Sequence, residues 1–317
     1  RGEVLSALKR FPEAVEAYDH VLASEDGDPL AWLWKGLALR EIQDDDGAAQ
    51  ALERYLLIEP GSAEAWYQKG LALERSGKYA TAAEAFGKAL EIEPSRVDAW
   101  YQKGLALVGL GNSEEGIPAF QEAIRLDPGH ALAWYSLGLA LEQAKRFQKA
   151  MDSFARALQI QPKNLPAWYH RGLCEEEEGF FSDAVFSFEK ALEIEPKDVD
   201  SWYHKGTCLA RSGRHQEAVS AFGNALLYDP GSPQAWFHQG LSLLETGEHA
   251  GAVASFDRAL GLDERNPAAW YEKGVALEGL GRRQDALESF SRALDLEPEK
   301  KEAWKHRGSL LFEEKSL

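Results

Sequence analysis

Methionine occurs once and cysteine twice in the 317 residues. Two cysteines cannot supply a disulfide framework, so the fold has to rest on packing. No stretch approaches the roughly 18 uninterrupted apolar residues of a membrane-spanning helix, which excludes a chain that crosses a bilayer in that way. Bases are scarce beside acids: 35 Lys and Arg face 52 Asp and Glu, a formal charge of −17. A surface that acidic repels phosphate backbones and anionic lipid, so neither nucleic acid nor a membrane is the expected partner. The chain also lacks a phosphate-cradling glycine loop, a nucleophile elbow and a zinc-protease helix. No catalytic residue, metal or cofactor is therefore expected. Strand-like alternation is missing too, which leaves the all-α class.

One residue type is plentiful. Of 10 tryptophans, nine stand 34 residues apart every time: Trp32, Trp66, Trp100, Trp134, Trp168, Trp202, Trp236, Trp270 and Trp304, with only Trp34 extra. A glycine follows each by four residues, from Gly36 to Gly308. A period this strict is the signature of a solenoid built from one small unit. With position 1 set three residues before each tryptophan, positions 4, 8, 9, 10 and 11 are apolar or small, which is helical spacing. A breaker follows near position 15, as at Gly77, Gly111 and Gly179. A second helical stretch has small–aromatic–small spacing, as at Ala82, Phe86 and Ala89, and proline closes it, as at Pro60, Pro94 and Pro128. Each unit thus reads as helix A, a tight turn, helix B and a stop. The whole chain, 1–317, reads as a single array: a partial repeat at 1–28, full repeats at 29–62, 63–96, 97–130, 131–164, 165–198, 199–232, 233–266 and 267–300, and a terminal helix at 301–317.

Glycine inside helix A costs about 1 kcal/mol relative to alanine, so its recurrence needs a packing reason. Gly at position 8 and Ala at position 20 let helices A and B approach, with the tryptophan and the helix B phenylalanine filling the space on either side. Two irregularities stand out. Gly116 and Pro118 inside one helix B are expected to bend or loosen it. Glu264 replaces the usual proline, with Pro267 taking over as breaker.

Trp66, Gly70, Ala82, Phe86, Ala89 and Pro94 resemble, position by position, the tetratricopeptide repeat pattern W-x2-L-G-x2-Y, A-x3-F, A, P, and most units repeat the match. Two columns depart from it: position 7 is mostly Lys or Arg, as at Lys69, Lys103 and Arg171, and position 11 is mostly Leu, as at Leu73, Leu107 and Leu141. The resemblance implies an α-solenoid, a right-handed superhelix of antiparallel helix pairs. It also implies a scaffold that binds a protein segment along a concave face formed by helix A positions 2, 5, 6, 9, 12 and 13. Family members that clamp the C-terminal carboxylate of chaperones carry Lys and Asn in these columns. Here the columns read Tyr, Leu, Gln or His, and acids, so that subclass is excluded.

Position 5 carries Tyr67, Tyr101, Tyr135, Tyr169, Tyr203, Phe237 and Tyr271, an aromatic ladder backed by leucines at position 9. Tyr has an apolar body and a polar tip and suits an interface, though such a stripe also serves as packing between helices. Positions 2, 12 and 13 hold twelve acids, among them Glu74, Glu142, Glu176, Asp98, Asp200, Glu245 and Glu313, against three bases, Arg40, Arg75 and Arg211. The run Glu175–Glu178 is the densest charge. The expected ligand is a protein or peptide segment, extended or helical, with Lys or Arg between apolar anchors.

One constellation resembles a metal site: His170 with Cys174 and His204 with Cys208, each pair four apart on a helix A. Position 10 is otherwise Ala or Ser, so each cysteine reads as a small core residue instead. At the ends, Leu5, Phe11, Val15 and Tyr18 are expected to lack part of their packing, and Leu310, Leu311 and Phe312 precede Glu313, Glu314 and Lys315. Such ends allow end-to-end self-association. A self-stacking assembly subunit, or the recruiting arm of a larger protein, is the alternative to a peptide-binding scaffold.

Overall fold

A side chain starts nearly every helix A. Asp28, Ser62, Asn164, Asp198, Ser232 and Asn266 each accept a hydrogen bond from a backbone N–H in the first turn that follows. These caps satisfy donors that would otherwise lack partners. Helix A ends in a turn whose glycine takes a left-handed conformation, as Gly77 does at φ +74°. There Lys78 N–H donates to Leu73 O at 2.8 Å and Gly77 N–H to Glu74 O at 2.9 Å, the paired bonds of a Schellman stop. Lys9, Gln43 and Lys145 take the same left-handed backbone without being glycine.

The computed structural model describes residues 1–24 and 27–314, with side chains to Phe312. Glu313, Glu314 and Lys315, counted above among the charges, therefore contribute no described side chain. The helices group into two units, Arg1–Pro162 and Lys163–Leu317. The first holds α1 Gly2–Ala7, α2 Phe11–Ser24, α3 Pro29–Glu41, α4 Asp45–Ile58, α5 Ala63–Arg75, α6 Tyr79–Ile92, α7 Val97–Gly109, α8 Ser113–Leu126, α9 Ala131–Gln143 and α10 Phe147–Ile160. The second holds α11 Leu165–Glu177, α12 Phe181–Ile194, α13 Val199–Arg211, α14 His215–Tyr228, α15 Pro233–Glu245, α16 His249–Leu262, α17 Pro267–Gly279, α18 Arg283–Leu296 and α19 Lys301–Glu314. Within each unit every helix packs on the next, and successive A helices also touch. The fold is an all-α solenoid, and no strand occurs among the described residues.

The glycine of helix A has a sharper reason than close approach alone. A Cβ placed on Gly70 would lie 2.5 Å from the ring of Phe86, and the same holds within 2.8 Å for Gly104 on Phe120, Gly138 on Phe154, Gly172 on Phe188, Gly206 on Phe222, Gly240 on Phe256 and Gly274 on Phe290. All seven of these phenylalanines are fully buried. Position 8 is thus a socket for the helix B ring of its own repeat. Repeat one fills it with Leu52 beneath Gly36. The tryptophan is only half-buried, and its role is directional: Trp66 Nε1–H donates to Pro60 O at 2.9 Å, across the stop between repeats. Trp270 makes the same bond to Glu264 O at 2.9 Å, so the missing proline costs no hydrogen bond.

Two expectations change, for Pro267 and for the residues near the N-terminus. Pro267 is not a breaker but the first residue of α17, where its missing N–H is harmless. Helix α8 runs unbroken through Pro118. A Cβ on Gly116 would meet Gly104 O at 3.0 Å and Val108 at 2.9 Å, so this glycine admits a tighter approach to α7. Leu5 and Tyr18 are buried, packed with Ala14, Leu22 and Ala31, while Phe312 is 74% exposed.

Candidate binding face on the A helices

Each position-5 ring packs on one side against the buried phenylalanine of its own repeat. Centroid distances are 5.7 Å for Tyr67–Phe86, 6.0 Å for Tyr101–Phe120 and 5.9 Å for Tyr135–Phe154 in the first unit. In the second they are 5.9 Å for Tyr169–Phe188 and Tyr203–Phe222, and 5.8 Å for Phe237–Phe256 and Tyr271–Phe290. All seven rings remain half-buried, so each combines a packed edge with a partly open one. Burial raises the phenol pKa of Tyr67, Tyr135, Tyr203 and Tyr271.

The residue just before the next helix A falls against these rings. The Arg96 guanidinium lies 4.0 Å from the centroid of Tyr67 and 2.7 Å from the Glu64 carboxylate. The His130 ring lies tilted against Tyr101 at 5.0 Å while its Nδ1 accepts from Ala133 N–H, and Lys300 stands 5.3 Å from the centroid of Tyr271. Seven residues of this column cap the helix that follows, and Arg96 makes no side-chain cap at all. Sequence reasoning missed these contacts, although an arginine in a column of Ser, Asp and Asn was a signal.

The acids behave in two ways. Asp98 and Asp200 are exposed on the first turns of their helices, where the helix dipole also favours them. The acids of position 12 sink between repeats. Glu176 is buried and 2.8 Å from His204 Nδ1, and Glu278 is 2.7 Å from His306 Nδ1; in both cases the histidine comes from the following helix A. Glu142 is half-buried. Glu74 is half-buried, and burial pushes its carboxyl up to about 7. Glu177 is exposed, but Glu175 is 3% exposed, so the Glu175–Glu178 run is not one charged surface.

The three bases of these columns are all engaged internally. Arg40 donates to Gln68, Arg75 pairs with Asp45 at 2.6 Å, and Arg211 lies 4.5 Å from the centroid of Phe181. The last two reveal a junction rule: position 17 of one repeat meets position 13 of the next, 30 residues on. Ser113 donates to Gln143 in the same place. A Cβ on Gly109 would lie 2.9 Å from Tyr79, and one on Gly279 would lie 2.7 Å from His249. Position 13 is therefore an inter-repeat contact as well as an edge of the face.

The tetratricopeptide repeat profile matches residues 1–63, 48–99, 67–129, 101–164, 212–269 and 239–282, and other profiles of the same family match 165–198, 187–220 and 267–300. The chain belongs to the tetratricopeptide repeat family. Similar solved structures include YrrB, a tetratricopeptide repeat protein with an unusual peptide-binding site, at 23% identity and TM-score 0.56 over 61% of this chain and 99% of that one. A C-terminal part of a repeat protein from Cytophaga hutchinsonii aligns at 18% identity and TM-score 0.56 over 88% and 98%. MamA aligns at 25% identity and TM-score 0.52 over 53% and 92%. No match was found among curated proteins. Family and neighbours together support a protein-interaction scaffold whose partners are proteins or peptides.

Both departures from the tetratricopeptide pattern have physical reasons. The cation at position 7 lies over the tryptophan three residues before it: Lys69 Nζ is 5.1 Å from the centroid of Trp66 and Lys205 Nζ is 5.2 Å from that of Trp202. The same ammonium pairs back to helix B of the preceding repeat, Lys205 with Glu189 at 2.9 Å and Lys273 with Asp257 at 2.6 Å. Leucine at position 11 is core, with Leu73 and Leu141 buried. Repeat five places Glu175 in that column instead. It accepts from Ser187 Oγ at 2.6 Å and from Arg171 Nε at 2.8 Å, which satisfies the buried carboxylate. Cys174 and Cys208 are fully buried, and burial pushes the Cys208 thiol up. No cluster of three or more metal-ligating side chains is found among the described residues, and no described helix is long and apolar enough to cross a membrane.

Proposed function

We propose that this tetratricopeptide protein binds an extended or helical protein segment along its A helices, with the position-5 rings as anchors and the neighbouring acids attracting Lys or Arg. The observation that carries the reading is an imbalance of available charge. Arg40, Arg75 and Arg211 each have a partner within the fold, although Arg75 and Arg211 remain exposed, and Asp98 and Asp200 stand exposed three residues before half-buried Tyr101 and Tyr203. A face with aromatic surface and unbalanced carboxylates favours cationic side chains. YrrB, which shares the fold, offers a precedent for a peptide-binding site on such an array.

The test is selection of peptides from a random displayed library on the folded chain. Selected sequences should be enriched in Lys or Arg flanked by apolar residues, and their binding should weaken as salt rises. Replacing Tyr169, Tyr203 and Tyr271 with Ala should abolish binding while helicity persists. Binding unchanged by that triple substitution, and unchanged again when Tyr67, Tyr101 and Tyr135 are replaced with Ala, takes the site off the position-5 rings.

A further inference from the structure

The protein already carries one occupied example of the recognition proposed above. Glu64 and Tyr67 sit at positions 2 and 5 of α5, and the Arg96 side chain lies across both. Its guanidinium is over the ring at 4.0 Å and bonded to the carboxylate at 2.7 Å. Arg96 is only half-buried, and it occupies a column in which seven other repeats place a residue that caps the next helix. A side-chain cap stabilises the start of a helix, and the arginine forgoes that contribution while it lies on the tyrosine and the acid. The acid–tyrosine pair spaced three apart, with the Glu93 carboxylate 3.7 Å from the other side of the guanidinium, seats the arginine.

The pair recurs in α13 as Asp200 and Tyr203. Here the covering residue is Ser232, whose short side chain accepts from Ala235 N–H at 3.2 Å and caps α15. Asp200 is exposed and Tyr203 half-buried, with the Tyr203 ring held against Phe222 at 5.9 Å and the edge of His238 at 5.8 Å. Burial lowers the pKa of His238, which disfavours its charged form, and His204, 5.4 Å from the same ring, lies 2.8 Å from the Glu176 carboxylate. Repeat three has Asp98 and Tyr101 but covers the ring with His130, and repeat eight covers Tyr271 with Lys300 while position 2 is Ala268. We infer that Asp200 and Tyr203 form an arginine-accepting subsite, filled by a guanidinium of a bound peptide as Arg96 fills Glu64 and Tyr67. The inference rests on the peptide-binding reading and names the side chain and the repeat that select it.

The experiment uses the full chain and two fluorescein-labelled probes, Gly-Leu-Arg-Leu-Gly and the same peptide with citrulline, which keeps the shape and loses the charge. The arginine probe should bind wild type about tenfold more tightly than the citrulline probe, the expected order for a charge-assisted contact on an aromatic ring. Asp200→Asn and Ser232→Arg should each reduce the arginine probe to the citrulline level, the second by supplying the seat from within. Arg96→Ser should have the opposite effect and raise the stoichiometry from one arginine probe to two, a gain that a misfolded variant cannot give. Absence of arginine-probe binding, equal binding of both probes, or an arginine preference that survives Ser232→Arg overturns the subsite. Equal binding that is lost in the Tyr169, Tyr203 and Tyr271 triple variant leaves the groove reading standing without the subsite. Binding indifferent to the triple variant removes the subsite, and binding indifferent also to Ala at Tyr67, Tyr101 and Tyr135 removes the groove reading with it.

Discussion

Arg75 donates two hydrogen bonds to Asp45, at 2.6 and 3.1 Å, from the end of one helix A to the start of the preceding helix B. The same point in other junctions holds Phe181 under Arg211, Ser113 on Gln143 and Tyr79 against Gly109. Each junction is complementary in its own way, as an ion pair, a cation over a ring, a neutral hydrogen bond, or a ring filling the space a side chain would take. Repeats that look interchangeable by their tryptophans are therefore not interchangeable at their edges.

The first prediction concerns that pair. Asp45→Ala and Arg75→Ala, alone and together, should give a coupling of about 1 kcal/mol in urea unfolding, at the upper end for a bidentate and partly exposed pair. Additivity to within about 0.3 kcal/mol would mean that the junction does not depend on the contact.

The tryptophan period, the glycine four residues on and the helix B phenylalanine made the alternation of A and B helices legible, because one geometric constraint repeats without insertion. The half-buried tyrosine ladder was also readable, since position 5 follows directly from helical spacing. The junction pairs were not. Asp45 and Arg75 belong to different columns of different units, and their meeting depends on how one repeat stacks on the next, which a 34-residue period does not encode. Glu176 was read as groove charge for the same reason: nothing in its own helix announces that His204, 28 residues on, reaches back to it. Pro267 was misread because proline both ends and begins helices, and only its distance from the Asn266 cap distinguishes the two.

A second prediction sets two glycines of the same column against each other. Gly70→Ala gains about 1 kcal/mol of helix propensity but drives a methyl into the fully buried Phe86 ring, so the net effect should be a loss of about 1–3 kcal/mol. Gly308→Ala meets nothing within 4 Å and should instead gain up to about 1 kcal/mol. Thermal unfolding of the two variants should shift in opposite directions. A common sign would refute the socket.

The third prediction concerns the turns that lack glycine. Gln43 and Lys145 hold φ of 63° and 56°, a region that costs a side-chain-bearing residue about 1–2 kcal/mol. Replacing either with Gly relieves that strain, while the freer unfolded chain takes part of the gain back. The expected net result is stabilisation of about 0.5–1 kcal/mol per site by urea titration. Destabilisation at both sites would show that the side chains make contacts outweighing the backbone.

The fourth prediction is a pH dependence with a fixed sign. Burial raises the Glu74 carboxyl from 4.5 to about 7 in the folded chain. Between those values the folded state holds more protons than the unfolded one, so this group lowers stability as pH rises through the interval and leaves it unchanged below and above. In a fully buried group a shift of that size corresponds to about 3 kcal/mol, but this side chain is only half-buried and water screens it, so about 1 kcal/mol is the expected size. Glu74→Gln keeps the shape and removes the charge. It should therefore match wild type at pH 4 and exceed it by about 1 kcal/mol at pH 8 in urea unfolding followed by circular dichroism. An equal gain at both pH values would trace the effect to packing of the amide, and no gain at pH 8 would mean that the carboxylate is hydrated where it stands.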